Sequence, residues 1–70
     1  MTDSFTLHDD SFTLQLETSP NVWEPLTSWN TESGVRDEMM KQRRLYPEDR
    51  YRIVQNVGYE KVIYPVNALL

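Results

Sequence analysis

The chain has no cysteine among its 70 residues. That excludes a disulfide framework, a thiol nucleophile, thiolate zinc sites and iron–sulfur clusters, and it suits a reducing compartment. Histidine occurs once, as His8, so a Ser-His or Cys-His catalytic pair has one place to start. Glycine occurs twice, at Gly34 and Gly58, which leaves no material for a phosphate-cradling loop or a dinucleotide fingerprint. The longest apolar run, Val62-Ile63-Tyr64, is far too short to span a bilayer. No basic, apolar leader is visible at the start of the sequence, and the expected localisation is cytoplasmic. Positive charge is absent from residues 1–35, which carry Asp3, Asp9, Asp10, Glu17, Glu24 and Glu32. Residues 36–70 carry five acids and seven bases, and the net charge of the chain is −4. The sequence is therefore polarised, acidic half first.

What is present is enough for one small core. Apolar residues make up 39% of the chain, with two Trp, four Tyr and two Phe. A domain of this size buries only roughly 60% of its unfolded surface, so its stability is marginal. Asp3-Ser4-Phe5-Thr6-Leu7 recurs as Asp10-Ser11-Phe12-Thr13-Leu14. The offset of seven is odd, so one continuous strand would put Phe5 and Phe12 on opposite faces. A break at the turn-like His8-Asp9-Asp10 resolves this. Residues 1–10 then form an N-terminal extension or a first short strand.

Residues 12–17 alternate and place Phe12, Leu14 and Leu16 on one face. Thr18-Ser19-Pro20-Asn21 is a turn, and residues 22–29 form a second strand. Pro25 makes that strand an edge or bulges it. A regular strand would put Trp23 and Trp29 on one face; a bulge at Pro25 would separate them. Thr31 is a natural N-cap for a helix near 32–46, and Pro47 stops it. Val35, Met39, Gln42 and Tyr46 form its weakly apolar stripe. Gly34 weakens this helix unless it permits close contact with the sheet. Tyr51 to Val57 is a third strand, with Tyr51, Ile53, Gln55 and Val57 on one face and Arg52, Val54 and Asn56 on the other. A last hairpin onto Val62-Ile63-Tyr64 is possible, and residues 66–70 are a tail.

The expected fold class is α+β, a small two-layer sandwich of antiparallel sheet with one helix, in the order β-β-α-β and possibly a further short strand. Residues 11–65 form the single domain.

Trp23, Thr31-Glu32 before a helix, Tyr46-Pro47, and Tyr51-Arg52-Ile53-Val54 together resemble a pattern in short bacterial and phage proteins of uncharacterised role. The likeness covers roughly residues 12–57 and departs at Gly34, where alanine would be expected. It implies the fold and a phage or mobile-element origin, and it carries over no functional residues.

The chemistry points away from catalysis. His8 reads as an exposed turn residue, and neighbouring residues such as His8-Asp9-Asp10 seldom converge on a metal. No enzyme activity, cofactor or metal is expected. The expected function is a small non-enzymatic protein-binding module that modulates or inhibits a host factor through an acidic and aromatic surface. The candidate contact residues are Asp9, Asp10, Glu17, Trp23, Trp29 and Tyr51. The expected partner is a protein, a second copy of the chain, or both, because one helix leaves a sheet face under-covered. That surface could also draw on the tail, Val66, Leu69 and Leu70. The alternatives are nucleic-acid binding through Arg43, Arg44, Arg50 and Arg52, with Tyr46 and Tyr51 for stacking, and a structural oligomer subunit. A net negative chain argues against nucleic acid.

Overall fold

The computed structural model describes residues 11–68. The expectations placed on residues 1–10, on Asp9 and Asp10, and on Leu69 and Leu70 fall outside the described residues. Five elements follow in order: β1 (Phe12–Ser19), β2 (Val22–Trp29), α1 (Glu32–Leu45), β3 (Tyr51–Asn56) and β4 (Glu60–Tyr64). The strands form one antiparallel sheet in the order β2-β1-β3-β4. The helix covers one face of it. This is the expected two-layer α+β fold, completed by a full fourth strand that begins two residues before the expected Val62.

β1 is central and pairs on both sides, with Phe12 opposite Trp29 and Gln55, and Leu14 opposite Thr27 and Ile53. Its alternation decides the layers. Phe12 and Leu14 join Val35, Met39, Tyr51 and Ile53 in the core under the helix, with Leu16, Ile63 and Tyr64 against its margin. Val35 and Met39 are the buried residues of the helix. The expected stripe ends there: Tyr46 is the C-cap and 56% exposed, because the chain leaves helical geometry at its φ of −133°.

The two hairpin turns use residues that tolerate a left-handed backbone. Asn21 sits at φ 64° between β1 and β2, and Gly58 at φ 89° between β3 and β4. The start of β3 is held by the residues after β4. Asn67, also left-handed at φ 51°, donates its backbone N–H to the Tyr51 carbonyl (2.8 Å). Its Oδ1 accepts from the Tyr51 N–H (3.0 Å). Asn67 thus prolongs the hydrogen bonding at the start of β3 beyond the β3–β4 ladder.

Thr31 caps the helix as expected, accepting from Gly34 N–H at 3.1 Å. Gly34 is there for contact. A Cβ at this position would stand 2.7 Å from Trp29 Cε3 and 2.9 Å from Thr31 Oγ1. Gly34→Ala should therefore destabilise the fold, although alanine gains about 1 kcal/mol of helix propensity. In a Trp29→Ala background the penalty should shrink. A urea-unfolding double-mutant cycle measures the difference, and equal penalties in both backgrounds would show that the ring is not the obstacle.

Candidate functional site

The side of the sheet away from the helix is where the sequence left chemistry unassigned. By alternation it carries Ser11, Thr13, Gln15 and Glu17 from the central strand. Register places Arg52, Val54 and Asn56 of β3 beside them, with Glu60 and Val62 of β4 beyond. Trp23, Pro25 and Ser28 lie on the β2 side. Among the described elements the helix meets only the opposite face.

The two tryptophans part company here. The β1–β2 register slips between Leu14 and Gln15, which pair with Thr27 and Pro25 and leave Leu26 bulged out. The bulge reverses parity. Trp29 stays on the helix side against Gly34, with its indole N–H donated to Thr27 Oγ1 (2.9 Å). Trp23 lies on the open face, opposite Glu17.

Polar side chains on this face bind one another. Asn56 Nδ2 donates to Ser11 Oγ (2.8 Å) and Thr13 Oγ1 (3.3 Å), and Thr13 Oγ1 lies 3.4 Å from Ser28 Oγ. Arg52 Nε donates to Gln15 Oε1 (2.6 Å), and Gln15 Nε2 donates to Glu60 Oε1 (3.3 Å). The Arg52 guanidinium stacks 4.4 Å from the Trp23 ring centre, a cation–π contact. These bonds satisfy groups that would otherwise be costly to bury: Gln15 is 3% exposed and Thr13 7%.

At the β1–β2 turn, Glu17 accepts from Asn21 N–H (2.8 Å) and from Arg50 Nε (2.5 Å). The two residues line a shallow, open hollow with Thr18, Ser19 and Pro20. The Asn21 N–H first, and the Arg50 guanidinium second, hold the Glu17 carboxyl below its ordinary range. A depressed carboxylate stabilises the fold above its unfolded pKa, and that contribution is lost as pH falls through the folded one. Glu17→Gln should therefore be less stable than the parent at neutral pH, and the gap should close below the usual carboxylate range. Melting temperatures across an acid series test it; a pH-independent gap would contradict the assignment.

The candidate residues thus divide. Glu17 and Trp23 are neighbours on the open face. Trp29, 37% exposed, belongs to the helix side. Tyr51 is a correction: it is 1% exposed and lies in the core, so it has no surface to offer a partner. Its parity with Ile53 puts it under the helix, and burial raises the pKa of its hydroxyl, followed by the nearby Asp49 charge.

The four arginines also separate. Arg43 and Arg44 end the helix, whereas Arg50, paired with Glu17, and Arg52, stacked on Trp23, both lie on the open-face side near the Glu17 carboxylate. Sequence reasoning missed Gln15, Val54 and Glu60. The polar alternation of Thr13, Gln15 and Glu17 signalled the face, but not the strand register that joins it to Arg52.

Among the described residues no three His, Cys, Asp or Glu side chains gather to hold a metal ion. No described helix is long and apolar enough to cross a membrane. No protein-family model, curated protein or solved structure matches the chain.

Proposed function

We propose that the protein is a non-enzymatic protein-binding module whose contact surface is the open sheet face around Trp23 and Arg52. The observation that carries this reading is the Trp23–Arg52 stack, set over a hydrogen-bonded Gln15 on a face that no described element covers. Tryptophan and arginine are the residue types that most often dominate interface energetics. Here both are held in place before a partner arrives, which lowers the ordering cost of association. Pro25 and Val62 supply exposed apolar surface on either side.

The weight of the reading shifts from acidity to the aromatic stack. Residues 11–68 hold eight acids and seven bases, so the folded part is close to neutral. Glu17 is already paired with Arg50. If the resemblance to phage proteins reflects origin, the partner is a host factor.

The test is recovery of a partner on immobilised protein. Trp23→Ala and Arg52→Ala should each weaken capture, with a central Trp or Arg worth on the order of 2 kcal/mol, or about thirtyfold. Arg43→Ala with Arg44→Ala should leave it unchanged. Circular dichroism checks that each variant is folded. If the parent instead retains labelled single-stranded nucleic acid at moderate salt and the Arg43/Arg44 variant does not, the protein-binding reading fails.

A further inference from the structure

The sheet has two outer strands, and their free sides differ. On β2, Pro25 has no N–H to offer and Leu26 is bulged out of the ladder. On β4 the run Glu60-Lys61-Val62 is regular, exposed and free of proline, and no described strand lies beyond it.

Backbone direction on β4 follows from its neighbours. The Val57 N–H donates to the Tyr59 carbonyl (3.0 Å), and the Asn56 N–H donates to the Ser11 carbonyl on the other side of β3. Alternation then turns the backbone groups of Tyr59 and Lys61 toward β3, and those of Glu60 and Val62 outward. Each of these two residues presents one donor and one acceptor to an added strand. The run ends at the bulged Ile63, because Tyr64 pairs with Ile53 and Pro65 follows.

A second copy of β4 fits this edge poorly. In an antiparallel pair with two-fold symmetry, one residue faces its own counterpart. Centring on Lys61 uses both Glu60 and Val62, but it sets two Lys61 side chains in a non-hydrogen-bonded pair, where side chains stand closest. Centring on Glu60 opposes two carboxylates. Centring on Val62 sets Glu60 against Tyr64, which is engaged with Ile53. Among the described residues Lys61 makes no ion pair. Tyr59, on the same side of the strand, is 66% exposed, and Val62, on the other side, 44%.

We propose that the outer edge of β4 accepts one extended segment of a partner protein as an added antiparallel strand, with Asp or Glu opposite Lys61 and an apolar residue opposite Val62. Charge complementarity at Lys61 admits this occupant where like charge rejects a second copy. The edge adjoins the open face through Val62 but uses neither Trp23 nor Arg52. It extends the protein-binding reading above to a second contact and stands without the first.

The probe is a blocked heptapeptide, Ser-Thr-Val-Glu-Val-Thr-Ser, titrated into the isotope-labelled full chain and followed by amide NMR. The Glu60 and Val62 amides should shift and exchange more slowly with solvent, while those of Trp23 and Ser28 on β2 stay in place. A twin peptide with lysine for the central glutamate should bind about fivefold more weakly, the scale of one cross-strand charge pair. Lys61→Glu should reverse the preference between the two peptides. Trp23→Ala should leave peptide binding unchanged.

No response at Glu60 and Val62 in millimolar peptide overturns the proposal, as does equal binding of the twin peptides to the parent chain. Loss of the response in Trp23→Ala would assign the peptide to the open face. Concentration-dependent shifts at Glu60 and Val62 without peptide would assign the edge to a second copy. Either result also overturns it. Capture by the open face is read through Trp23 and Arg52, so the failure of one contact is distinguishable from the failure of the other.

Discussion

Replacing Leu14 by alanine should cost about 2–5 kcal/mol, the range for truncating a buried leucine in a core that cannot collapse around the gap. Leu14 is fully buried in the middle of the central strand. It is flanked by Thr27 and Ile53 and shares its cluster with Val35 and Met39. Strands on both sides and a helix above leave little freedom to close the cavity. A domain stabilised by roughly 0.05–0.15 kcal/mol per residue has little more than that to lose. Much of the variant population should be unfolded at 37 °C. Leu45→Ala, at a position 57% exposed on the helix end, is the control and should change stability by less than about 0.5 kcal/mol. Urea titration followed by tryptophan fluorescence gives both values. A Leu14→Ala midpoint close to the parent's would mean that the core is not centred on β1.

The second large effect is expected at Asn67, which lies outside the sheet. Asn67→Ala removes the acceptor for the Tyr51 N–H and the donor that reaches the Asp49 carbonyl (3.4 Å). It also places a residue poorly suited to positive φ at 51°. An unsatisfied backbone group costs about 1–3 kcal/mol, and the left-handed conformation about 1–2 kcal/mol. The sum is on the order of 2–5 kcal/mol.

Two variants divide it. Asn67→Gly keeps the backbone conformation available and loses only the side-chain bonds. Asn67→Asp keeps the acceptor for Tyr51. Both should be more stable than Asn67→Ala. Hydrogen exchange at the Tyr51 amide gives the local readout: protection should fall in the Ala and Gly variants and persist in the Asp variant. Unchanged protection in Asn67→Ala would mean that the tail does not hold β3.

The layers of this fold were legible in short-range pattern. Phe12, Leu14 and Leu16 alternate, Thr31 caps, Pro47 stops, and each works within a few residues of itself. Tyr51 shows where that kind of reasoning ends. Its parity with Ile53 was plain from the sequence, but parity does not say which face the helix will cover. That depends on how the chain crosses from β2 over the sheet to β3, which is a tertiary fact.

The tryptophans show the same limit. Pro25 marked a bulge, and the bulge sends Trp23 and Trp29 to opposite faces. Only the register with β1 reveals that Trp23 then meets Arg52, 29 residues further along the chain. The start of the last strand at Glu60 and Lys61 is not legible in the sequence, because a polar edge strand lacks apolar alternation. β4 is such a strand, paired on one side only.

The central position of β1 has a consequence for how the chain acquires its structure during synthesis. β1 emerges before every other described element, yet one of its two neighbours, β3, follows only after the β1–β2 hairpin and the helix. Until then the hairpin presents a raw edge, with Phe12 and Leu14 on its apolar side, to any other extended chain. Closing that edge requires contacts between segments some 35–43 residues apart, such as Leu16 with Tyr51 and Phe12 with Gln55. Such distant pairings set the pace of folding in small β-containing domains. The chain is therefore most exposed to wrong pairing in the interval between emergence of the helix and arrival of Tyr51, and a released fragment of residues 1–45 should aggregate where the chain of residues 1–70 does not.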